Sequence, residues 1–258
     1  MIPPVPQWAT PPLELARPLA SRLLRALASP RRCPRSDRGA VLDPEIHRML
    51  ALSQPLMSDK PGPHEGYRAE IHRNSILAGP AWPKGLTQQH HVLAGRPATM
   101  FTPNGLQSVS EAPLVFFLHG GGFVVGSVKT HAAVCAALAV RARCRVLSFE
   151  YRLAPEHPWP AAPDDVFAAW KALVDSASDF GTSPEKIVIS GDSAGGNLSV
   201  VNMLRCREHG IPLPRSAVLL YPGLDFTRTF QSHRTFSTGF FLSAQLIDWF
   251  ISHYLTDP

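Results

Sequence analysis

The sequence predicts an α/β protein built on a mostly parallel sheet with helices on both faces. Three observations carry this. Short apolar runs, such as LVFFL at 114–118 and RVLSF at 145–149, alternate along the chain with longer stretches of helical period, the order expected of βαβ units. These runs are apolar on successive residues, so both faces of the sheet are to be covered. At 258 residues and 45% hydrophobic, the chain is long enough to bury a substantial core.

The elements follow in order. Residues 1–38 hold seven arginines against Glu14 and Asp37, which accounts for the whole formal net charge of +5; the remaining 18 basic and 18 acidic residues cancel. A core without net charge suits a neutral small molecule better than a nucleic acid. Within the basic segment Leu19, Leu23 and Leu27 recur at helical spacing, with Arg17, Arg22 and Arg25 projecting elsewhere. The preferred reading is a lid helix laying its leucines over a site. Peripheral contact of residues 17–28 with an anionic membrane is a second reading, and an unstructured leader a third. A shorter helix is expected after Asp43, which caps it, with Pro44 at its first position and Ile46, Met49 and Leu50 on one face. Residues 58–66 (SDKPGPHEG) read as a flexible linker, and residues 78–85, with Pro80 and Pro83, as a turn-rich connection.

From there strands are expected at 89–93, 98–101, 114–118, 145–149, 186–190 and 217–220, and helices at 130–142, 163–176, 194–208 and 243–254. Pro3, Pro4 and Pro6 interrupt the start, where no apolar signal-like run or spanning helix is legible. Cys33, Cys135, Cys144 and Cys206 form no CxxC pair, and small buried thiols are the default. Together these point to the cytoplasm. His90 and His91 are adjacent, so a strand sends them to opposite faces and no shared metal is expected. Asn197-Leu198-Ser199 spells a glycosylation sequon, but on a helix expected to be packed away. No metal or organic cofactor is implied.

The chemistry concentrates at Gly191-Asp192-Ser193-Ala194-Gly195, between an apolar run and a helical pattern. This is the form of a nucleophile elbow, a strained strand-to-helix turn that holds serine at positive φ and admits only small residues two positions either side. The helix that follows aims free N–H groups and its positive end at the same point. Upstream, the 114–118 strand runs into His119-Gly120-Gly121-Gly122-Phe123. A phosphate loop is the competing reading, yet no GK[ST] follows and the spacing is not GxGxxG. An oxyanion hole is the better account.

Three blocks, VFFLHGGGFVVGSVKTH (115–131), EYRLAPEHPWPAAPDD (150–165) and IVISGDSAGGNL (187–198), together resemble the hormone-sensitive-lipase-like, or GDXG, esterases of the α/β-hydrolase fold. Residues 242–255 (LSAQLIDWFISHYL) are similar to the family's as well. The resemblance implies hydrolysis of small or medium acyl esters through an acyl-serine intermediate. Ser193 is then the nucleophile, and Gly120, Gly121 and Ala194 supply the oxyanion amides. His119 organises the loop without acting as base, and Gly122, Gly191, Asp192 and Gly195 support the motifs. It also implies cap helices in residues 1–60, a core in 61–225 and a cap insertion in 226–258. Phe123, Trp159, Phe240, Phe241 and Trp249 are candidates for the pocket lining. Glu150, Arg152, Glu156 and Asp164 read as paired scaffold charges.

One departure from the family pattern stands out. The triad of this fold runs Ser, then Asp or Glu, then His, and the expected acid and base positions fall beyond Pro258. Asp225, His233 and His253 are poor substitutes: Asp225 comes too early, and the histidines fall in cap-like sequence. The expectation is a sheet with about six of the fold's eight strands, an exposed 217–220 edge and a crippled or inactive esterase. A small-molecule-binding protein on the same fold, or a fragment without function, are the alternatives.

Overall fold

The structure, a computed structural model, describes residues 61–255 together with residues 41–44, 46, 47 and 50. The basic segment, Cys33 and Met49 lie outside the described residues. Asp43 does begin a helical turn, with its Oδ1 accepting from Ile46 N at 3.2 Å. Of the apolar face expected there, Leu50 is buried but Ile46 is exposed.

Six strands form one sheet: β1 (Leu86–Leu93), β2 (Arg96–Pro103), β3 (Leu114–Leu118), β4 (Arg145–Phe149), β5 (Ile187–Asp192) and β6 (Ser216–Leu220), in the order β1-β2-β4-β3-β5-β6. β4, β3, β5 and β6 run parallel, while β1 pairs antiparallel with β2 and β2 with β4. Ala94 and Gly95, both at positive φ, close the β1–β2 hairpin in the handedness that suits twisted strands.

The helices are α1 (His64–Ala78), α2 (Val128–Ala142), α3 (Ala161–Asp175), α4 (Ala194–His209), α5 (Gln231–Thr235) and α6 (Ala244–Tyr254). α2 starts at a capping box between Ser127 and Thr130, which satisfies two amides that a helix start leaves free. α4 ends at Gly210, whose left-handed conformation turns its N–H onto Cys206 O. The expected linker over 58–66 is corrected at its end: α1 begins at His64 and includes Gly66. Its apolar anchors, Tyr67 and Ile71, are too few to stand out as a period among the charged residues.

Strand alternation divides the core between the two faces of the sheet. Leu114, Phe116, Leu118, Leu147 and Phe149 face Val166, Trp170 and Leu198 of α3 and α4. Phe117, Phe101 and Val146 face Cys135, Ala136 and Ala139 of α2. Each fully buried Phe or Leu stabilises by roughly 1.5–3 kcal/mol relative to exposure. β3 sits between β4 and β5, so the chain leaves β3 toward one side and later returns to its other side. In open α/β sheets ligands bind at such a switch point, beyond the carboxyl ends of the strands. Here those ends are Leu118 and Gly191, paired across β3 and β5.

Candidate active site

Ser193 leaves β5 and enters α4 with φ 51° and ψ −115°, a conformation costly to any residue with a Cβ and held only by its surroundings. What holds it is visible on every side. Ser193 N donates to Leu220 O at 2.9 Å, and Asn197 Nδ2 donates to Gly223 O at 2.7 Å, tying the elbow to the turn after β6. A Cβ on Gly195 would lie 2.0 Å from Leu118 O, and one on Gly191 would lie 2.5 Å from Gly195 C. Both glycines are therefore required, as the motif predicts. Ser193 is partly exposed, and its Oγ has no hydrogen-bond partner among the described residues.

The glycine loop is oriented one peptide at a time. His119 is fully buried and stacked on Tyr151 with ring centroids 4.3 Å apart. Its Nδ1 lies 2.9 Å from Gly120 O, and since a carbonyl only accepts, Nδ1 carries the proton. Tyr151 Oη donates to His119 O at 2.6 Å. In a trans peptide the C=O and the next N–H point oppositely, so the Gly121 amide is turned away from His119. Gly121 O in turn accepts from Val124 N and Val125 N at 3.1 and 2.9 Å, which turns the Gly122 amide to the other side of its peptide plane. Gly121 and Gly122 both have positive φ, the conformation that makes glycine necessary there.

Gly120 corrects the expectation drawn from the motif. Its N–H donates to Asp192 Oδ1 at 2.9 Å, so that amide already serves a carboxylate and is not free for an oxyanion. The amides of Gly121, Gly122 and Ala194 have no acceptor among the described residues, that of Ala194 because it opens a helix. Asp192 thereby bridges the elbow and the glycine loop. His131 Nε2, from α2, stands 3.3 Å from the same Oδ1. Burial alone would raise the Asp192 pKa, but the hydrogen bonds from His131 and the Gly120 amide outweigh it and hold the carboxyl below its ordinary value. Burial, reinforced by the nearby His131, pushes His119 down to about 3, so it is neutral and fixed in place.

Several residues at the site were not legible in the sequence. A Cβ on Gly126 would fall 2.3 Å from Gly120 O, a close approach that no spacing rule marks. Phe250 of α6 covers Gly122, where a Cβ would come within 2.3 Å of the ring. Tyr254 stacks on Phe123 at 3.9 Å. Of the expected lining residues, Phe123 is buried under Tyr254 and Trp249 packs on Tyr67 and Phe250, whereas Trp159 and Phe241 are exposed. Phe240 packs edge-on against Phe236.

The scaffold charges are paired: Arg152 with Asp165 at 2.7 Å, Arg68 with Glu156 at 2.6 Å and Arg205 with Asp164 at 2.7 Å. Glu150 Oε2 accepts from Val128 N at the start of α2. None of Asp225, His233 or His253 is hydrogen-bonded to Ser193. Asp225 accepts from Thr227 N and Oγ1, and His253 Nδ1 lies 2.8 Å from Trp249 O. His233 lies beside Phe230. Cys135, Cys144 and Cys206 are buried free thiols. Among the described residues no cluster of potential metal ligands occurs, and no helix is long and apolar enough to cross a membrane.

Comparison with known proteins agrees with this geometry. Residues 115–258 match the family described as the alpha/beta hydrolase fold. The chain is 44% identical over 166 residues to the carboxylic ester hydrolase LipN of Mycobacterium tuberculosis, covering 62% of this chain and 43% of that one. It is 34% identical to an ethyl acetate hydrolase of Pseudomonas putida, over 67% of this chain and 54% of the relative. The chain thus spans about half the length of these relatives. Among solved structures, the α/β-hydrolase LAE6 from the metagenome of Lake Arreo superposes with a TM-score of 0.78 at 34% identity, covering 83% of this chain and 70% of that one. The esterase of Pyrobaculum calidifontis superposes with a TM-score of 0.73 at 30% identity, over 84% and 71%. The glycine loop, the elbow and the sheet that carries them place this chain in the alpha/beta hydrolase fold family, among its hormone-sensitive-lipase-like esterases.

Proposed function

We propose that this chain carries the nucleophile and oxyanion half of a carboxylic ester hydrolase acting on small or medium acyl esters. The observation that supports it most is Ser193 at φ 51° on an elbow tied through Asp192 to the glycine loop, with the amides of Gly121, Gly122 and Ala194 left without an acceptor among the described residues. Ser193 Oγ attacks the ester carbonyl carbon, and the negative charge on its oxygen is taken up by these amides, donors placed in advance. Collapse of the intermediate breaks the bond to the alcohol, which leaves with a proton, and water then releases the acid from the acyl-serine. Residues 226–255 act as a cap, a reading supported by Phe250 against Gly122 and Tyr254 against Phe123.

A base is needed to take the serine proton, and no described residue is bonded to Ser193 Oγ. Removing the base from a comparable triad costs on the order of 10^6 in kcat and leaves roughly 10^3–10^4 over water. The 258-residue chain is therefore expected to acylate slowly and to deacylate more slowly still. With p-nitrophenyl acetate it releases about one equivalent of p-nitrophenolate, and peptide mass spectrometry finds the acetyl group on Ser193 and none in Ser193→Ala. Sustained turnover would show that a base is in place. Absence of the adduct would favour a binding protein on this fold.

A further inference from the structure

Arg68 stands on α1, outside the sheet, and is bonded to both loops that flank the glycine run. Its Nε donates to Val124 O at 2.7 Å and its Nη2 to Ala154 O at 2.8 Å. Nη1 and Nη2 also grip Glu156 at 2.6 and 2.8 Å. The two loops are joined directly as well, through Ala154 N to Phe123 O at 2.9 Å. Val124 belongs to the turn whose amides hold Gly121 O, and that turn sets where the Gly122 amide points.

We propose that Arg68 is a positioning residue of the oxyanion loop: by fixing Val124 O against the loop after β4, it keeps the Gly121 and Gly122 amides aimed at the space over Ser193. The planar guanidinium matches the task, because its rigid fork serves Val124, Ala154 and Glu156 together, whereas an ammonium is a single point donor. Glu156 completes the clamp. The hydrogen bond from Arg68 pulls its pKa down to about 2, so the carboxylate stays charged through the neutral range, with His64 Nε2 at 3.2 Å on its outer side. Loop placement matters because a misplacement of about 1 Å near a reacting centre costs on the order of 10^2 in rate.

The catalytic readout rests on the acyl-serine reading above, so the test includes one that does not. Hydrogen exchange is followed by mass spectrometry on the 258-residue chain, comparing wild type with Arg68→Lys, Arg68→Ala and Glu156→Gln. Arg68→Lys and Arg68→Ala are expected to speed exchange at the Val124 and Val125 amides at least tenfold, leaving β3 and β5 protected. Both slow acetylation of Ser193 by about 10^2. Glu156→Gln, which leaves the bond from Nε to Val124 O, changes loop exchange less than twofold. A purely ion-pairing role would be rescued by lysine, so wild-type loop protection in Arg68→Lys overturns the proposal, as does unchanged loop exchange in Arg68→Ala. If wild type shows no acetyl-Ser193, the acyl-serine reading fails while the exchange data still decide the role of Arg68.

Discussion

β3 and β6 flank the nucleophile strand on either side, both parallel to it and both five residues long, yet their fates differ. Leu114, Phe116 and Leu118 of β3 are sealed from water, whereas Val218 is 52% and Leu220 41% exposed. Both runs, LVFFL and SAVLL, are mostly apolar; what separates Val218 and Leu220 from the residues of β3 is cover. β3 has strands on both edges, α2 on one face and α3 and α4 on the other. Among the described residues β6 has β5 on one edge only. Ser193 draws on the open strand, whose Leu220 O holds its peptide N–H, while the glycine loop with the unbonded Gly121 and Gly122 amides follows the closed one. The site thus joins a rigid wall to a lightly supported one.

The largest effect expected from this contrast comes from adding one carbon on each side. Gly195→Ala places a Cβ 2.0 Å from Leu118 O and 2.6 Å from His119 O, both backbone atoms of the packed wall, whereas Gly223→Ala meets nothing closer than Phe226 Cζ at 3.8 Å. Gly195→Ala should lose more than about 3 kcal/mol of stability in urea titration, and Gly223→Ala should stay within about 0.5 kcal/mol. Equal costs would mean that the turn after β6 is as tightly enclosed in solution as the elbow.

The same contrast governs how much was legible in the sequence. Buried strands announce themselves as unbroken apolar runs, and β3 and β4 match their expected limits residue for residue, with β5 beginning one residue late. The elbow and the glycine loop were legible because their backbone admits nothing larger than glycine at fixed positions such as 191, 195, 121 and 122. The destination of a single amide is not written in that way. HGGG identifies a loop of donors, and only coordinates reveal that the Gly120 amide turns to Asp192. Arg68 and α1 were hidden for a related reason: a helix anchored by Tyr67, Ile71 and a few polar bonds has too little periodicity to declare itself. Phe250 and Tyr254 meet Gly122 and Phe123 across more than a hundred residues, a pairing no local pattern encodes.

A smaller effect, confined to the closed wall, is a dependence on acid. His119 has its pKa lowered to about 3, first by burial and then by His131, while the unfolded chain takes up that proton near the ordinary imidazole value of about 6.5. Between these limits the unfolded state binds more protons, so stability falls as pH drops from about 6.5 toward 3, by at most about 1.4 kcal/mol per unit. His119→Asn keeps a side-chain donor without the titration. It should lose about 1 kcal/mol less than wild type between pH 6 and 5, where most carboxylates are still ionised. Parallel pH profiles for the two proteins would mean that His119 takes its proton readily in the folded state, and that the loop opens to water more than its burial implies.

The smallest expected change in stability tests the open wall. Among the described residues β6 has no strand on its outer edge, where Val218 and Leu220 are exposed, and a charge on such an edge is the usual protection against pairing with a second strand. Val218→Lys should leave the urea midpoint close to wild type, because the side chain is half exposed and packs on little. Its effect should appear in self-association. Light scattering across a concentration series is expected to show wild type growing in mean mass and Val218→Lys remaining closer to one chain. If wild type stays monomeric throughout, β6 is covered in solution, and the two walls of the site are more alike than their exposures indicate.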